Sequence, residues 1–431
     1  MPPTQKIQGP KGTRDFYPQD MAWHRHLLDA WRRVSVRNGF EEVDGPIFET
    51  LELYKVKSGE GIVSELFSFK RTGGKTDFAI RPEFTPTLAR MVAAKASALP
   101  KPIKWFATPN FCRAERPQRG RLREFWQWNV DLLGLDTPAA DAEVIFTCVD
   151  LLAELGLDAA QVKVKISHRD VVRQVLEKLG VSNDKLNDAF GLLDKRDKLP
   201  PDEFTKQAGA LGLDEHKVGR FEEVCRRKYA SGDLEHLARS LAMDAPPEDL
   251  VALDAQLQAF GIADWCEYDL GIVRGLAYYT GTVFEVHEAT GVERAIAGGG
   301  RYDKLIELFG GPKMPGIGFG MGDVVLTNVL ADKGLVPEEV GARPDAFVFA
   351  VDDAGAERVP AIVSELRRAG MHARMTYKTT RNVGKLIKDA TACNARFALL
   401  VAGANLEVKD MTTGEQTAID PADLVSRLGD A

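Results

Sequence analysis

The sequence predicts an α+β chain of two or three domains, and three observations carry that reading. Two strand-like stretches, "IKWFATPNFCR" and "REFWQWNVDLL", flank a loop bearing Gly and Pro and resemble two long antiparallel strands. A charge-rich, mostly helical block runs from about 162 to 268. After a break at "DKGLVPEEVGARPD", the chain reads strand ("DAFVFAV"), helix ("VPAIVSELRRAG"), strand ("HARMTY"), helix ("VGKLIKDATACN") and strand ("RFALLVAG"). That order predicts a small α/β domain with a largely parallel or mixed sheet. The 431 residues, 44% apolar and 28% charged, suffice for more than one core and argue against disorder.

Along the chain, an amphipathic helix is predicted over about 20–38, where Leu27, Trp31 and Val34 share a face and Gly39 supplies a stop. "GFEEVDGPIFE" is strand territory because Pro46 bars a helix. A strand follows at "KTDFAIRPE", and helix begins at "TPTLARMVAA". If extended backbone continues through "RPEFTPT", Arg81, Glu83 and Thr85 lie on one face, although Arg81 could simply pair with an acid. Helix resumes after Thr137-Pro138, an N-cap with proline in the first turn, and ends near Gly156. Strand-like, glycine-rich sequence returns in "RGLAYYTGTVFEV" and "RAIAGGGRYDKL", so the helical block reads as an insertion within the first domain.

Composition removes several classes of function. A net charge of −7 is not that of a non-specific nucleic-acid binder, so any polyanion must meet local basic patches. Five scattered cysteines without a CxxC read as reduced cytosolic thiols with no structural zinc. Seven histidines form no HExxH and no close ligand cluster, so neither a zinc site nor a histidine nucleophile is expected. No apolar run follows the N-terminal positive charge, which predicts no signal peptide and no membrane span.

The local basic patch is "FCRAERPQRGRLREFWQWNVD", with five arginines (113, 116, 119, 121 and 123) within eleven residues. Neither GxGxxG nor GxxxxGK[ST] occurs in a strand-to-helix setting, so a phosphate must be held by arginine forks rather than a glycine cradle. A solvated basic hairpin is the alternative, but five such close cations repel unless an anion satisfies them. On the strand that follows, Phe125, Gln127, Asn129 and Asp131 share a face. They offer a flat surface for a nucleobase, and an amide and carboxylate for a small cationic or hydrogen-bonding substrate. An exposed strand end is the other reading of Asp131. Arg274 sits between glycine-permitted turns ahead of two tyrosines, and "IAGGGRYDKL" either lets backbone approach a ligand or makes a tight turn.

Taken with "KGTRDFYP", "NGFEEVDGPIFE", "RPEFTPT", "VRGLAYYTGTVFE", "AGGGRYDKL" and "PGIGFGMG", the arginine stretch resembles the histidyl-tRNA synthetase family of class II aminoacyl-tRNA synthetases over nearly the whole chain. The resemblance implies a six-stranded antiparallel catalytic sheet with flanking helices, split into 1–160 and 266–332. It implies a helical insertion at 161–265 and a C-terminal α/β anticodon-binding domain at 343–431. It further implies a cytoplasmic homodimer, organised through the first helix and the strand around Pro46, that joins histidine to tRNA(His) with ATP and Mg²⁺.

By resemblance, Arg113 and Arg274 flank the reacting α-phosphate. Glu83, Thr85 and Gln127 hold the amino-acid end, Asp131 and Tyr279 the imidazole, and Tyr278 lines the pocket. Glu115 and Phe125 face adenine, Arg121 and Arg123 the distal phosphates, and Arg116, Gln118 and Arg119 the tRNA acceptor end. Three positions depart from the family pattern: Val325 replaces the arginine of the third motif, Asp131 a glutamate, and Ala277 an aspartate. The competing reading is a non-charging synthetase-like regulatory subunit of ATP phosphoribosyltransferase. Arg274, Tyr278, Tyr279 and the full final domain weigh against it. In that domain Arg381, Lys385 and Lys388 fall near one helical face and suit anticodon-stem phosphates or plain solvent.

Overall fold

The computed structural model describes residues 7–58, 60–196, 199–273 and 278–429. They fall into two compact units, the larger built mainly from His24–Glu338 and the smaller mainly from 339–429.

Six strands form the centre of the larger unit: β1 (Ile103–Ala107), β2 (Glu124–Leu133), β3 (Val162–His168), β4 (Thr282–Glu288), β5 (Ala297–Arg301) and β6 (Gly316–Gly322). Their order is β1-β2-β6-β5-β4-β3, with every neighbouring pair antiparallel. Four short strands extend this to ten. Glu41–Glu42 runs parallel to β1, Asn110–Cys112 antiparallel to the start of β2, Cys266–Tyr268 parallel to β3, and Tyr229–Ala230 antiparallel beyond it. The two strands predicted around the arginine loop are therefore paired, as Asn110–Cys112 with Glu124–Trp126 and β1 with the end of β2.

The helices follow from their sequences. Pro18–Arg37 buries Leu27, Trp31 and Val34, and Gly39 beyond its end adopts φ 78°. Pro138–Glu154 is capped by Thr137, whose hydroxyl accepts from the Ala140 amide, with proline in the first turn. Thr85–Lys95 sets Leu88, Ala89 and Val92 against Phe111, Leu133, Tyr279 and Tyr302, so the helix that begins at Thr85 helps support the site wall.

The helical block is narrower than its sequence suggests. Val162–His168 and Cys266–Tyr268 are strands of the main sheet, and the stretch between holds helices from Arg169–Lys178 to Glu248–Ala259, with the short strand Tyr229–Ala230 among them. In "VKVKISH", Val162, Val164 and Ile166 are fully buried while Lys163 and Lys165 are not, a period of two. Extended backbone also stops earlier than expected, at Ile80. Thr85 opens a helix, and Arg81 is buried with its guanidinium on Asp44 Oδ1 at 2.8 Å.

The smaller unit has β7 (Ala346–Ala350), β8 (Ala373–Met375), β9 (Phe397–Ala402), β10 (Asn405–Asp410) and β11 (Gln416–Ile419) in the order β8-β7-β9-β10-β11. The first three are parallel and the last two antiparallel to their neighbours, so of the two forms expected, largely parallel or mixed, the sheet is mixed. Along β7, Ala346 and Val348 face a core with the helix Asp353–Arg368, while Phe347 and Phe349 face Leu386 and Ala390 of Val383–Ala392. Burial on both faces explains the continuous apolar run in "AFVFA".

Candidate active site

On the larger unit, a cavity of about 820 Å³ opens over β2, β6 and β5. Its floor is an alternation made literal. Phe125, Gln127, Asn129 and Asp131 of β2 line it, whereas Trp126 and Trp128 turn away. Trp128 is buried and donates to Ser35 Oγ at 2.8 Å, and Trp126 lies edge-on to His24.

The neighbouring strand β6 is bare where those side chains lie. It pairs Gly318 with Asp131 and Gly322 with Gln127. A Cβ on Gly318 would meet Asp131 Oδ1 at 2.3 Å, and one on Gly320 would meet the Gln127 amide at 2.7–2.9 Å. The glycines of "PGIGFGMG" thus make room for a carboxylate and an amide to lie flat across the sheet. Gly299 in β5 is as tightly enclosed, its Cβ position 2.1 Å from the Gly318 carbonyl oxygen.

Asp131 is buried and accepts a short hydrogen bond from the Tyr302 hydroxyl. Complete burial, then the Asp131 charge, hold the Tyr302 phenol well above its ordinary pKa, so it keeps its proton and remains a donor. Tyr278 and Tyr279 stand on the same cavity wall with ring centroids 4.6 Å apart. Glu83 and Thr85 reach the cavity from the turn before and the first residue of the helix Thr85–Lys95.

The arginine stretch divides. Arg113 lines the cavity, its Nε donates to the Pro82 carbonyl at 3.0 Å, and its guanidinium lies 4.9 Å from the Phe125 ring centroid. Burial lowers its pKa, opposed chiefly by the Glu83 and Glu115 charges, so the site holds a desolvated cation beside carboxylates. Arg121 also lines the cavity and pairs with Glu115 at 2.5 Å.

Glu115 and Arg123 stand off the cavity wall, and Arg123 donates to the carbonyls of Glu115 and Lys11. Gln118 and Arg121 close a tight turn through paired backbone bonds of 3.0 and 2.9 Å, with Gly120 at φ 71°. Arg116 and Gln118 are exposed, and Arg119 pairs with Glu293 and Asp332. Arg274 and Ala277 lie outside the described residues, between Val273 and Tyr278, which both line the cavity.

Val325 sits on the cavity wall. Asp323, two residues earlier, is buried. It takes Arg14 Nη2 at 2.6 Å and the Trp126 amide at 3.0 Å, fixing the N-terminal segment rather than facing a ligand.

Sequence reasoning missed several lining residues. Tyr302 lies inside a quoted motif, but its partner is 171 residues away in sequence. Arg294 lies next to that motif, and Lys165 and Lys228 lie in the block that carried no motif. Lys228 pairs with Asp269 at 2.5 Å. What the arrangement can do chemically is hold an amino acid between carboxylate, amide and phenol, with guanidinium groups on one side to receive phosphate charge.

A family profile described as histidyl-tRNA synthetase matches residues 12–323. A histidine–tRNA ligase of Natronomonas pharaonis is 39% identical over 417 residues, covering 95% of each chain. The chloroplastic/mitochondrial histidine–tRNA ligase of Arabidopsis thaliana is 37% identical, covering 97% of this chain and 86% of its own. Among solved structures, histidyl-tRNA synthetase from Nostoc superposes with a TM-score of 0.79 at 23% identity, over 99% of this chain and all of the other. That likeness concerns the fold.

Proposed function

The chain belongs to the histidyl-tRNA synthetase family, and from that premise we propose how its residues divide the work of a histidine–tRNA ligase. The enzyme activates histidine with ATP to histidyl-adenylate and pyrophosphate, then passes histidine to the 3′ end of tRNA(His) and releases AMP. Glu83 and Gln127, with Thr85 alongside, receive the α-ammonium, and Asp131 receives the imidazole with Tyr279 beside it and Tyr278 on the wall. Arg113 neutralises the α-phosphate and orients the attacking carboxylate. The nucleophile is already ionised, so catalysis rests on fixed cations where charge accumulates and needs no general base. Phe125 offers the ring for adenine, and Arg121 meets the distal phosphates on exchanging Glu115 for them. Arg274 supplies a second cation to the α-phosphate, and Arg116, Gln118 and Arg119 meet the acceptor end of tRNA.

Mg²⁺ accompanies ATP. As a hard cation that keeps phosphate and water oxygens, it is carried chiefly by the nucleotide. We assign the site to a cytoplasmic homodimer. Ile47, Phe48 and Phe69 are about half exposed, and Phe48 contacts Phe69 and Phe78 at 5.7 and 5.6 Å, an apolar cluster next to Pro46 suited to a second copy.

The observation that carries the reading is Gln127 and Asp131 lying over bare glycine in the cavity that also holds Arg113. Histidine-dependent ATP–pyrophosphate exchange tests it. Wild type exchanges, and Arg113→Ala and Arg274→Ala each lose roughly a hundredfold or more, equivalent to about 3 kcal/mol of transition-state stabilisation. Wild type without histidine-dependent exchange would instead identify a non-charging regulatory subunit.

A further inference from the structure

Val325 leaves an apolar patch on a wall expected to carry positive charge, and the space beside it is filled from another part of the chain. Val325 Cγ2 and Arg294 Cδ both lie against Gly120, at 3.2 and 3.8 Å from its Cβ position. Gly120 is the left-handed residue of the turn between Arg119 and Arg121. The neighbouring Glu293 is buried and takes Arg119 and the Asn328 amide, which anchors the β4–β5 connection against that turn.

Arg294 itself lines the cavity. Among the described residues it has no ion pair, unlike Arg119 and Arg121. Partial burial lowers its pKa, and repulsion from nearby Arg121 and Arg113 lowers it further, with Glu115 and Glu285 opposing. Three guanidinium groups converging on one cavity are stable together when a polyanion enters.

We infer that Arg294 is an ATP-binding residue that contacts the distal phosphates and supplies, from the β4–β5 connection, the cation that position 325 lacks. The inference rests on the nucleotide site proposed above, and ATP is the only substrate of that reaction carrying a triphosphate. Arg294 approaches beside Arg121, and the two forks bracket the outer phosphates while Arg113 remains at the α-phosphate.

The test is calorimetric binding of Mg-ATP and of AMP, with pyrophosphate exchange run beside it, on wild type, Arg294→Ala, Arg294→Lys, and Arg294→Ala combined with Val325→Arg. Arg294→Ala is expected to lose roughly ten- to hundredfold in ATP affinity. Affinity for AMP, KM for histidine and thermal stability should stay near wild type. Lysine should restore part of the loss, since it keeps the charge without the fork. Arginine at 325 should restore more, because it enters the same space beside Gly120.

ATP affinity unchanged in Arg294→Ala overturns the inference. So does a loss shared equally by AMP and histidine with a lowered Tm, which would mark a structural role. Wild type that binds Mg-ATP through Arg294 yet exchanges no pyrophosphate would sink the ligase reading and leave this inference standing.

Discussion

Asp131, the residue proposed to receive the imidazole, is held by a residue far away in sequence. The Tyr302 hydroxyl donates to one oxygen of Asp131, and the phenol keeps its proton because burial and the carboxylate both oppose ionisation. A carboxylate offers about four lone-pair sites, so Asp131 can accept from an imidazole N–H as well. Asp131→Asn therefore weakens histidine binding by roughly a hundredfold, the scale of removing a charge-assisted bond at a buried site, and Tyr302→Phe by about tenfold. KM for histidine in pyrophosphate exchange should record both, with KM for ATP unmoved; equal changes in the two constants would contradict the assignment. The face shared by Gln127 and Asp131 was legible because a strand alternates strictly. Tyr302 was not, since its meeting with Asp131 depends on sheet order rather than local pattern.

At the scale of elements, β6 shows how glycine sets a binding surface, and two of its positions separate binding from folding. The three atoms nearest a Cβ on Gly320 all belong to the terminal amide of Gln127, which can swing aside, so Gly320→Ala should keep its Tm and lose histidine affinity. A Cβ on Gly318 meets Asp131 and also the Val130 carbonyl at 2.7 Å, so Gly318→Ala should lower both. Thermal unfolding alongside exchange kinetics distinguishes them; equal destabilisation by the two would refute the contrast.

The first helix carries a different signal. Burial, then Arg14 and Arg25, push His24 down to about 4, and its ring lies 4.5 Å from Trp126 and 4.9 Å from Phe16. The unfolded chain takes up a proton near pH 6.5, well before the folded protein does. Stability carried by neutral His24 is thus present above pH 6.5 and is lost as pH falls toward 4. His24→Phe should flatten that part of the Tm–pH curve, and an unchanged slope would assign the acid sensitivity elsewhere. Helix ends at Gly39 and Thr137 were readable from their capping chemistry. The strand Val162–His168 was obscured by lysines that resemble the charged helices following it.

On the scale of the whole molecule, a net charge of −7 confines any tRNA-binding force to local patches, and the structure sorts the candidates. In the smaller unit Arg381 pairs with Asp353 at 3.1 Å and Lys378 with Asp389 at 2.7 Å. Lys385 and Lys388 are exposed on the helix Val383–Ala392, and Leu386 and Ala390 are turned into the core. Arg381 precedes that helix, so the basic face predicted from sequence spacing narrows to these two lysines. The alternation of strand and helix from Ala346–Ala350 to Phe397–Ala402 was readable from apolar runs and their spacing. Which cations stay unpaired was not, because Asp353 and Asp389 reach theirs across turns and helix ends.

If the two lysines meet anticodon-stem phosphates, binding of tRNA(His) releases counterions, and log affinity falls linearly with log salt. Replacing both with alanine should reduce that slope by about 2, since each lysine neutralises one phosphate. The cavity proposed for histidine and ATP is lined by neither lysine, so pyrophosphate exchange should be unchanged in the same variant. Filter binding of tRNA(His) across a salt series reads the slope directly. A double variant with the wild-type slope would place the ionic attraction on another surface, and the arginine turn at 116–119 would be the next to mutate.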